Sequence, residues 1–285
     1  MLLQDARDYQ ILFLSFFLFL GIGTRDWTLR PELIVTLIAT CLIVQGLGVL
    51  VARQLDRSLF NLTWKSSWRS ALITGLGLSL LLRADNYLTM VLAGTLAIGS
   101  KFVLQVNRKH FFNPGNFGII AALVLTGDAW VSPGQWGDEW LYLFIFAGTG
   151  AMVLKKVGRW DTSAAFLISY ALLEGMRNWW LGWTWDVWAH RLSSGSLWLF
   201  ALFMITDPRS IPNSPNGRVI WASAIAILAF ILRNLFFIPT AVFWALFAIA
   251  PLTIIIDRFW VAPNFSWFLK TQKNLVSARL TESKI

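Results

Sequence analysis

The chain has 285 residues, of which 56% are hydrophobic and only 14% charged, with a mean hydropathy of +0.61. That composition excludes an ordinary water-soluble domain and places the chain in the integral-membrane class. The net charge of +9 sits in short stretches between apolar segments, so it speaks for anionic lipid as the partner and against nucleic acid. The one cysteine, Cys41, lies in an apolar segment. No internal disulfide, zinc or iron–sulfur cluster follows from it.

The chain opens on Met1-Leu-Leu-Gln-Asp-Ala-Arg-Asp8, of mixed charge, followed by an apolar run without a small-x-small cleavage step. This reads as a retained first helix. Ten membrane segments follow in chain order: Tyr9–Ile22, Glu32–Val51, Trp68–Leu82, Tyr87–Ser100, Phe112–Leu125, Trp140–Leu154, Thr162–Leu173, Leu192–Ile205, Val219–Leu232 and Pro239–Ile256. The fold class read from them is an all-α integral membrane protein with both termini cytoplasmic. One polytopic domain covers residues 1–261, and a basic cytoplasmic tail covers 262–285. With the N-terminus inside and strict alternation, 18 of the 24 Lys and Arg face the cytoplasm and 6 the other side, as the positive-inside rule requires. The expected location is the inner (plasma) membrane. Ten segments can divide into five plus five, with the second half inverted and helices interrupted.

Between the segments, Leu55, Leu59 and Leu62 alternate with Arg53, Arg57 and Lys65, and residues 265–280 mix aromatic, aliphatic and basic types. Both stretches could lie flat on the inner leaflet. The sequons at Asn61 and Asn264 fall on the cytoplasmic side, so no glycan is expected. Trp179, Trp180, Trp183, Trp185 and Trp188 crowd one outer loop, and Trp130, Trp136 and Trp140 another. An interfacial belt explains them; a stacking platform for a quinone or flavin is the alternative.

Two places break the apolar pattern with chemistry. Asn113-Pro-Gly-Asn-Phe-Gly118 opens the fifth segment: Pro114 restrains Asn113 to extended backbone, Gly115 and Gly118 allow close approach, and a helix N-terminus there would point N–H groups at an anion or carbonyl. A capped helix start is the plainer reading. Ser193-Ser-Gly-Ser196 leads into a run of about ten apolar residues ending at Thr206-Asp-Pro-Arg209, short of the ~20 that span a bilayer. The candidate site is therefore Asn113, Pro114 and Gly118 with Ser194, Gly195, Thr206 and Asp207, shaping a polar break at membrane depth that holds a cofactor or cation. Asp207 is expected to pair with Arg209 or Arg218. Asp161 reads as an N-cap, Glu174 and Asp257 as solvated ends, and Lys101 as a snorkelling side chain. His110 and His190 fall at opposite faces, so they cannot share a haem. No dinucleotide fingerprint or P-loop is present.

His190-Arg-Leu-Ser-Ser-Gly-Ser, Phe203-Met-Ile-Thr-Asp-Pro and Pro215-Asn-Gly-Arg218 together resemble the pattern of the RnfD/NqrB family. Phe111-Phe-Asn-Pro114, Asp161-Thr-Ser-Ala164 and Ala250-Pro-Leu-Thr-Ile-Ile-Ile-Asp257 are similar to further steps of that family. The resemblance covers residues 100–260. It implies ten helices in inverted repeats and a membrane protein that works beside other membrane and redox subunits, coupling electron flow to cation movement. It also implies FMN on the Thr of a Ser-Gly-Ala-Thr motif. Here the nearest string is Thr126-Gly-Asp-Ala129, and Ala129 has no hydroxyl. Covalent FMN is not expected, and a non-covalent flavin is the remaining cofactor expectation. A transporter or channel without redox chemistry, and a scaffold without ligand, are the competing classes.

Overall fold

A computed structural model describes residues 5–25, 30–55, 64–134 and 140–265. The expectations for Met1 to Gln4, for Arg57, Leu59, Asn61 and Leu62, for Trp136 and for the tail beyond Phe265 lie outside the described residues. The helices are α1 (Ala6–Arg25), α2 (Pro31–Leu55), α3 (Trp64–Leu81), α4 (Tyr87–Val103), α5 (Pro114–Leu125), α6 (Trp140–Val157), α7 (Trp160–Trp180), α8 (Trp185–Leu192), α9 (Gly195–Leu199), α10 (Pro215–Asn234), α11 (Ala241–Ile249) and α12 (Leu252–Phe259). Each of the ten expected segments overlaps one of these or a broken pair. The short α8, with Asp186, His190 and Arg191 among its tryptophans, has no counterpart among the expected segments, because it is too short and too polar to register as a span.

Local chemistry sets the starts. Asn86 caps α4, its side chain accepting from Leu88 N. Asn113 and Ser214 cap α5 and α10, each followed by a proline at the first helical position. Proline loses nothing there, since that N–H has no intrahelical partner. Two short antiparallel pairs complete the connections. β1 (Leu82–Arg83) pairs with β4 (Trp130–Val131), and β2 (Gln105–Val106) with β3 (Lys109–His110). The second is a hairpin with a two-residue turn, Asn107 at φ 51° and Arg108 at φ 62°, the positive-φ pair that matches strand twist.

The connections gather at two ends. At one, Arg69 reaches Asp8 at 2.6 Å, Lys109 reaches the Ile211 carbonyl and Asp257, both at 2.6 Å, and Arg218 holds Asp161. At the other, Arg30 donates to the Asp85 carbonyl at 3.0 Å, Asp128 accepts from Asn86 N at 2.9 Å, Ser132 N donates to the Leu81 carbonyl at 2.8 Å, and Gly195 N to the Gly134 carbonyl at 3.0 Å. Successive connections alternate between these ends.

The packing partners also recur. α1 lies on α3, α2 on α4, and α4 on α5; later, α6 lies on α9 and the turn after it, α7 on α10, and α10 on α11. The two sets meet where α1 touches α6 and α5 touches α11. Phe17 of α1 stacks on Phe146 of α6 at 4.4 Å and meets Phe203 edge-on at 5.8 Å. The outward faces are apolar: Phe19, Leu88, Phe144 and Leu172 are all at least 60% exposed, as suits a lipid surround. Among the described residues, α2 and α10 are each long and apolar enough by themselves to cross a membrane, and α11 with α12 forms a broken span bent by 50°.

Candidate functional site

The short helix α9 runs straight into a π turn, Phe200–Met204, with Ile205 N donating back five residues to the Phe200 carbonyl at 2.9 Å. A helix that widens and stops inside the bundle exposes carbonyls that no water can satisfy. Neighbouring side chains take them: Ser163 Oγ donates to the Ala201 carbonyl (2.6 Å), Thr206 Oγ1 to the Leu202 carbonyl (3.0 Å), and Asn113 Nδ2 to the Met204 carbonyl (2.9 Å). Asn113 works at both ends of its amide, since its Oδ1 also caps Asn116 N at 2.9 Å. Asn116 in turn donates to the Phe243 carbonyl of α11 at 3.0 Å.

Asn113, Pro114 and Asp207 line one cavity of about 90 Å³, together with Arg7, Ser70, Thr74, His110 and Arg209. It opens at the end of the bundle where α1 and α3 begin. His110 Nε2 lies 3.3 Å from Asp207 Oδ2. Burial pulls the imidazole below its ordinary value despite the carboxylate beside it. Burial also works against ionised Asp207, but the hydrogen bond from His110 and the backbone N–H of Arg209 more than offset it, so the carboxyl stays below its usual range. A neutral imidazole can bond a carboxylate only through an N–H, so Nε2 carries the proton.

The other expected site residues serve elsewhere. Thr206 back-bonds as described and does not line the cavity. Gly118 packs α5 on α4: a Cβ there would come within 2.8 Å of both the Ala93 carbonyl and the Ala97 Cβ. Ser194 and Gly195 stand at the far end of the short helix. Ser194 Oγ donates to the Pro133 carbonyl at 2.8 Å, and Gly195 N and Ser196 N are taken by Gly134 and Pro133. The polar entrance is thus a tie to the 132–134 loop.

Several charge expectations need correction. Arg218 pairs with Asp161 and not with Asp207: its Nε lies 3.0 Å and its Nη2 2.5 Å from Asp161 Oδ2. Asp161 accordingly sits inside the first turn of α7, behind Arg159. Asp257 is bound by Lys109 Nζ and by Asn213 N, the latter at 2.8 Å. Lys101 is buried, its Nζ 3.3 Å from Ser70 Oγ. Glu174 is buried to 1% exposure and bonded on both oxygens. In each case a partner from a distant segment, invisible to local spacing, replaces solvent. The sequence pattern excludes a haem shared by His110 and His190 but gives no sign that His110 partners Asp207, 97 residues away.

A model of the NQR2, RnfD, RnfE family matches residues 100–266, the stretch that contains the hairpin, the capped α5, the interrupted helix and the Asp161–Arg218 pair. The chain belongs to this family. Its relatives include the D subunit of the ion-translocating oxidoreductase complex of Stutzerimonas stutzeri, 29% identical over 161 residues, covering 52% of this chain and 44% of that protein. The same protein of Yersinia enterocolitica serotype O:8 is 26% identical over 164 residues (55% and 38%), and that of Escherichia coli O1:K1 is 27% identical over 146 (50% and 38%). The matched stretch spans less than half the length of these relatives. In this chain the loop that resembles the flavin-bearing one is tied down by Asp128, which accepts from Asp85 N, Asn86 N and Thr89 Oγ1 (3.2, 2.9 and 2.6 Å). Ala129 beside it packs against the core.

Proposed function

We propose that this chain is a membrane subunit of an Rnf-type redox-driven ion-translocating complex, with ten spans in two inverted sets of five and both termini cytoplasmic. The matched stretch with its interrupted helix and occupied carbonyls carries this reading. The recurrent packing partners and the alternating connections support the repeat, as does an echo that local scanning passes over. Phe111-Phe-Asn-Pro114 precedes α5, and Phe236-Phe-Ile-Pro239 precedes α11 at the corresponding place in the second set. Aligning the halves on helix order brings it out.

Covalent flavin does not fit this chain, because Ala129 offers no oxygen for a phosphoester. A cavity of about 90 Å³ also falls below the ~300 Å³ at which ligand pockets begin, so a flavin ring is not the occupant in this conformation. A hydrated cation or proton fits better: Arg7 is neutralised by Asp5 at 2.6 Å, and Asp207 is the carboxylate among the lining residues. Electrons then travel through partner subunits, and this chain supplies part of the ion route. The test is ion uptake by inverted membrane vesicles, energised by the cell's own electron donors, with and without the chain. Uptake that needs both electron flow and the chain supports the reading. Uptake that persists without electron flow favours a plain transporter, the class that the missing flavin hydroxyl would suit.

A further inference from the structure

At the end of the bundle away from the cavity, α7 carries Tyr170, Glu174 and Asn178 on one face, four residues apart. All three are at most 1% exposed. Glu174 Oε2 accepts from Arg191 Nη1 of α8 at 2.8 Å, and Oε1 from Asn234 Nδ2 of α10 at 2.8 Å. Arg191 Nη1 also donates to Asn234 Oδ1 at 2.9 Å, closing a triangle. Arg191 is the member that reaches outward, its side chain 22% exposed against 0% for Glu174. Its guanidinium lies 5.6 Å from the Trp183 ring centre, and that of Arg177 lies 4.7 Å from the same ring.

The neighbours along the stripe are left wanting. The Tyr170 hydroxyl, one turn deeper, feels the charges of Glu174 and of Arg233 on α10, yet it has no hydrogen-bond partner, and neither has Asn178 Oδ1 one turn outward. Buried polar atoms without partners are uncommon and mark places where something else binds or passes. A carboxylate inside a membrane bundle is costly unless paired, and its pairing is what a transported charge can alter.

We propose that Glu174 is a proton-binding site on the route from the end opposite the cavity, with Arg191 as its displaceable counter-ion. A proton from hydronium passes to the Glu174 carboxylate, leaving water and a neutral acid. Arg191 then loses its ionic partner and turns toward solvent. The new O–H can donate inward to the phenolic oxygen of Tyr170. A metal cation is the poorer fit: both carboxylate oxygens are already bonded, Arg191 would repel it, and no cluster of three or more His, Cys, Asp or Glu exists among the described residues. The proposal rests on the ion-route reading above, but its test does not depend on electron transfer.

Dicyclohexylcarbodiimide modifies protonated carboxylic acids in apolar surroundings. The intact chain, in its native membranes, is treated from about pH 8.5 down to about pH 5.5, and the Glu174 peptide is quantified by mass spectrometry. The adduct is expected to rise as pH falls, by up to about tenfold per pH unit above the midpoint, and to be absent in Glu174→Gln. In Arg191→Gln, which removes the stabilising charge, the rise moves to higher pH. An adduct missing at every pH in both the native chain and Arg191→Gln, or one that ignores pH or the Arg191 substitution, overturns the proposal. Labelling as expected without redox-driven uptake in vesicles would instead sink the functional reading and leave the proton site standing.

Discussion

Asn113 carries two loads, and each can be removed separately. Asn113→Ala deletes the cap on α5, which costs about 0.5–2 kcal/mol. It also strips the Met204 carbonyl of its 2.9 Å donor in a buried setting, about 1–3 kcal/mol more. The sum expected for Ala is about 2–5 kcal/mol. Asn113→Asp retains the acceptor for Asn116 N but sets a carboxylate against the Met204 carbonyl, so it restores the cap and not the second bond. Unfolding of the purified chain in mild detergent, followed by intrinsic Trp fluorescence against denaturant, reads both. Ala and Asp should each destabilise, and Asn113→Ser, which can cap but not reach the carbonyl, should fall between Ala and the native residue. Losses under about 0.5 kcal/mol for Ala would refute the claim that the π-turn carbonyls are held by side chains.

Three further outcomes follow from the same geometry. Gly118→Ala should overpack α5 on α4 at a cost of about 1–3 kcal/mol, whereas Gly99→Ala in α4, where a Cβ meets nothing within 4 Å, should be neutral or stabilise by up to about 1 kcal/mol; denaturation of the pair separates them. Arg218→Leu strands the Asp161 carboxylate and should cost about 3–5 kcal/mol, with Arg218→Lys intermediate because it keeps the charge but loses the two-point contact. Acidification should weaken the cavity end in two windows. His110 has a lowered folded value, so the unfolded chain takes up its proton first and stability falls as pH drops below the ordinary imidazole value near 6.5. The Asp207 carboxyl is also lowered, so its contribution is present above the ordinary value of 3.8 and is lost as pH falls through the folded value. His110→Asn should flatten the first window in a pH series of unfolding curves and leave the second.

What the sequence discloses divides along a physical line. The helix positions are legible because apolar runs and caps such as Asn113-Pro114 are local. The family stretch is legible because Thr206-Asp207-Pro208 and Asn113-Pro114 recur in order. Partner choice is not. Asp207 lies beside Arg209 in sequence but takes a His110 side chain from a hairpin 97 residues earlier, and Glu174 finds Arg191 and Asn234 on two other helices. Ser194 and Gly195 look like a ligand entrance because Ser and Gly also suit ligand sites. Only the fold reveals that the 132–134 loop already occupies their donors. The cavity likewise draws on Arg7 and Ser70, which hydropathy alone reads as ordinary interface residues.

The central claim is that this chain works inside a redox complex without carrying a covalent flavin. Its most direct test is purification of the tagged chain from native membranes in mild detergent, with co-purifying proteins identified by mass spectrometry and flavin fluorescence read on a denaturing gel. Flavin or iron–sulfur subunits should appear at fixed stoichiometry, with no fluorescence on the band of this chain. A chain that purifies alone, or one whose own band fluoresces, would contradict the claim.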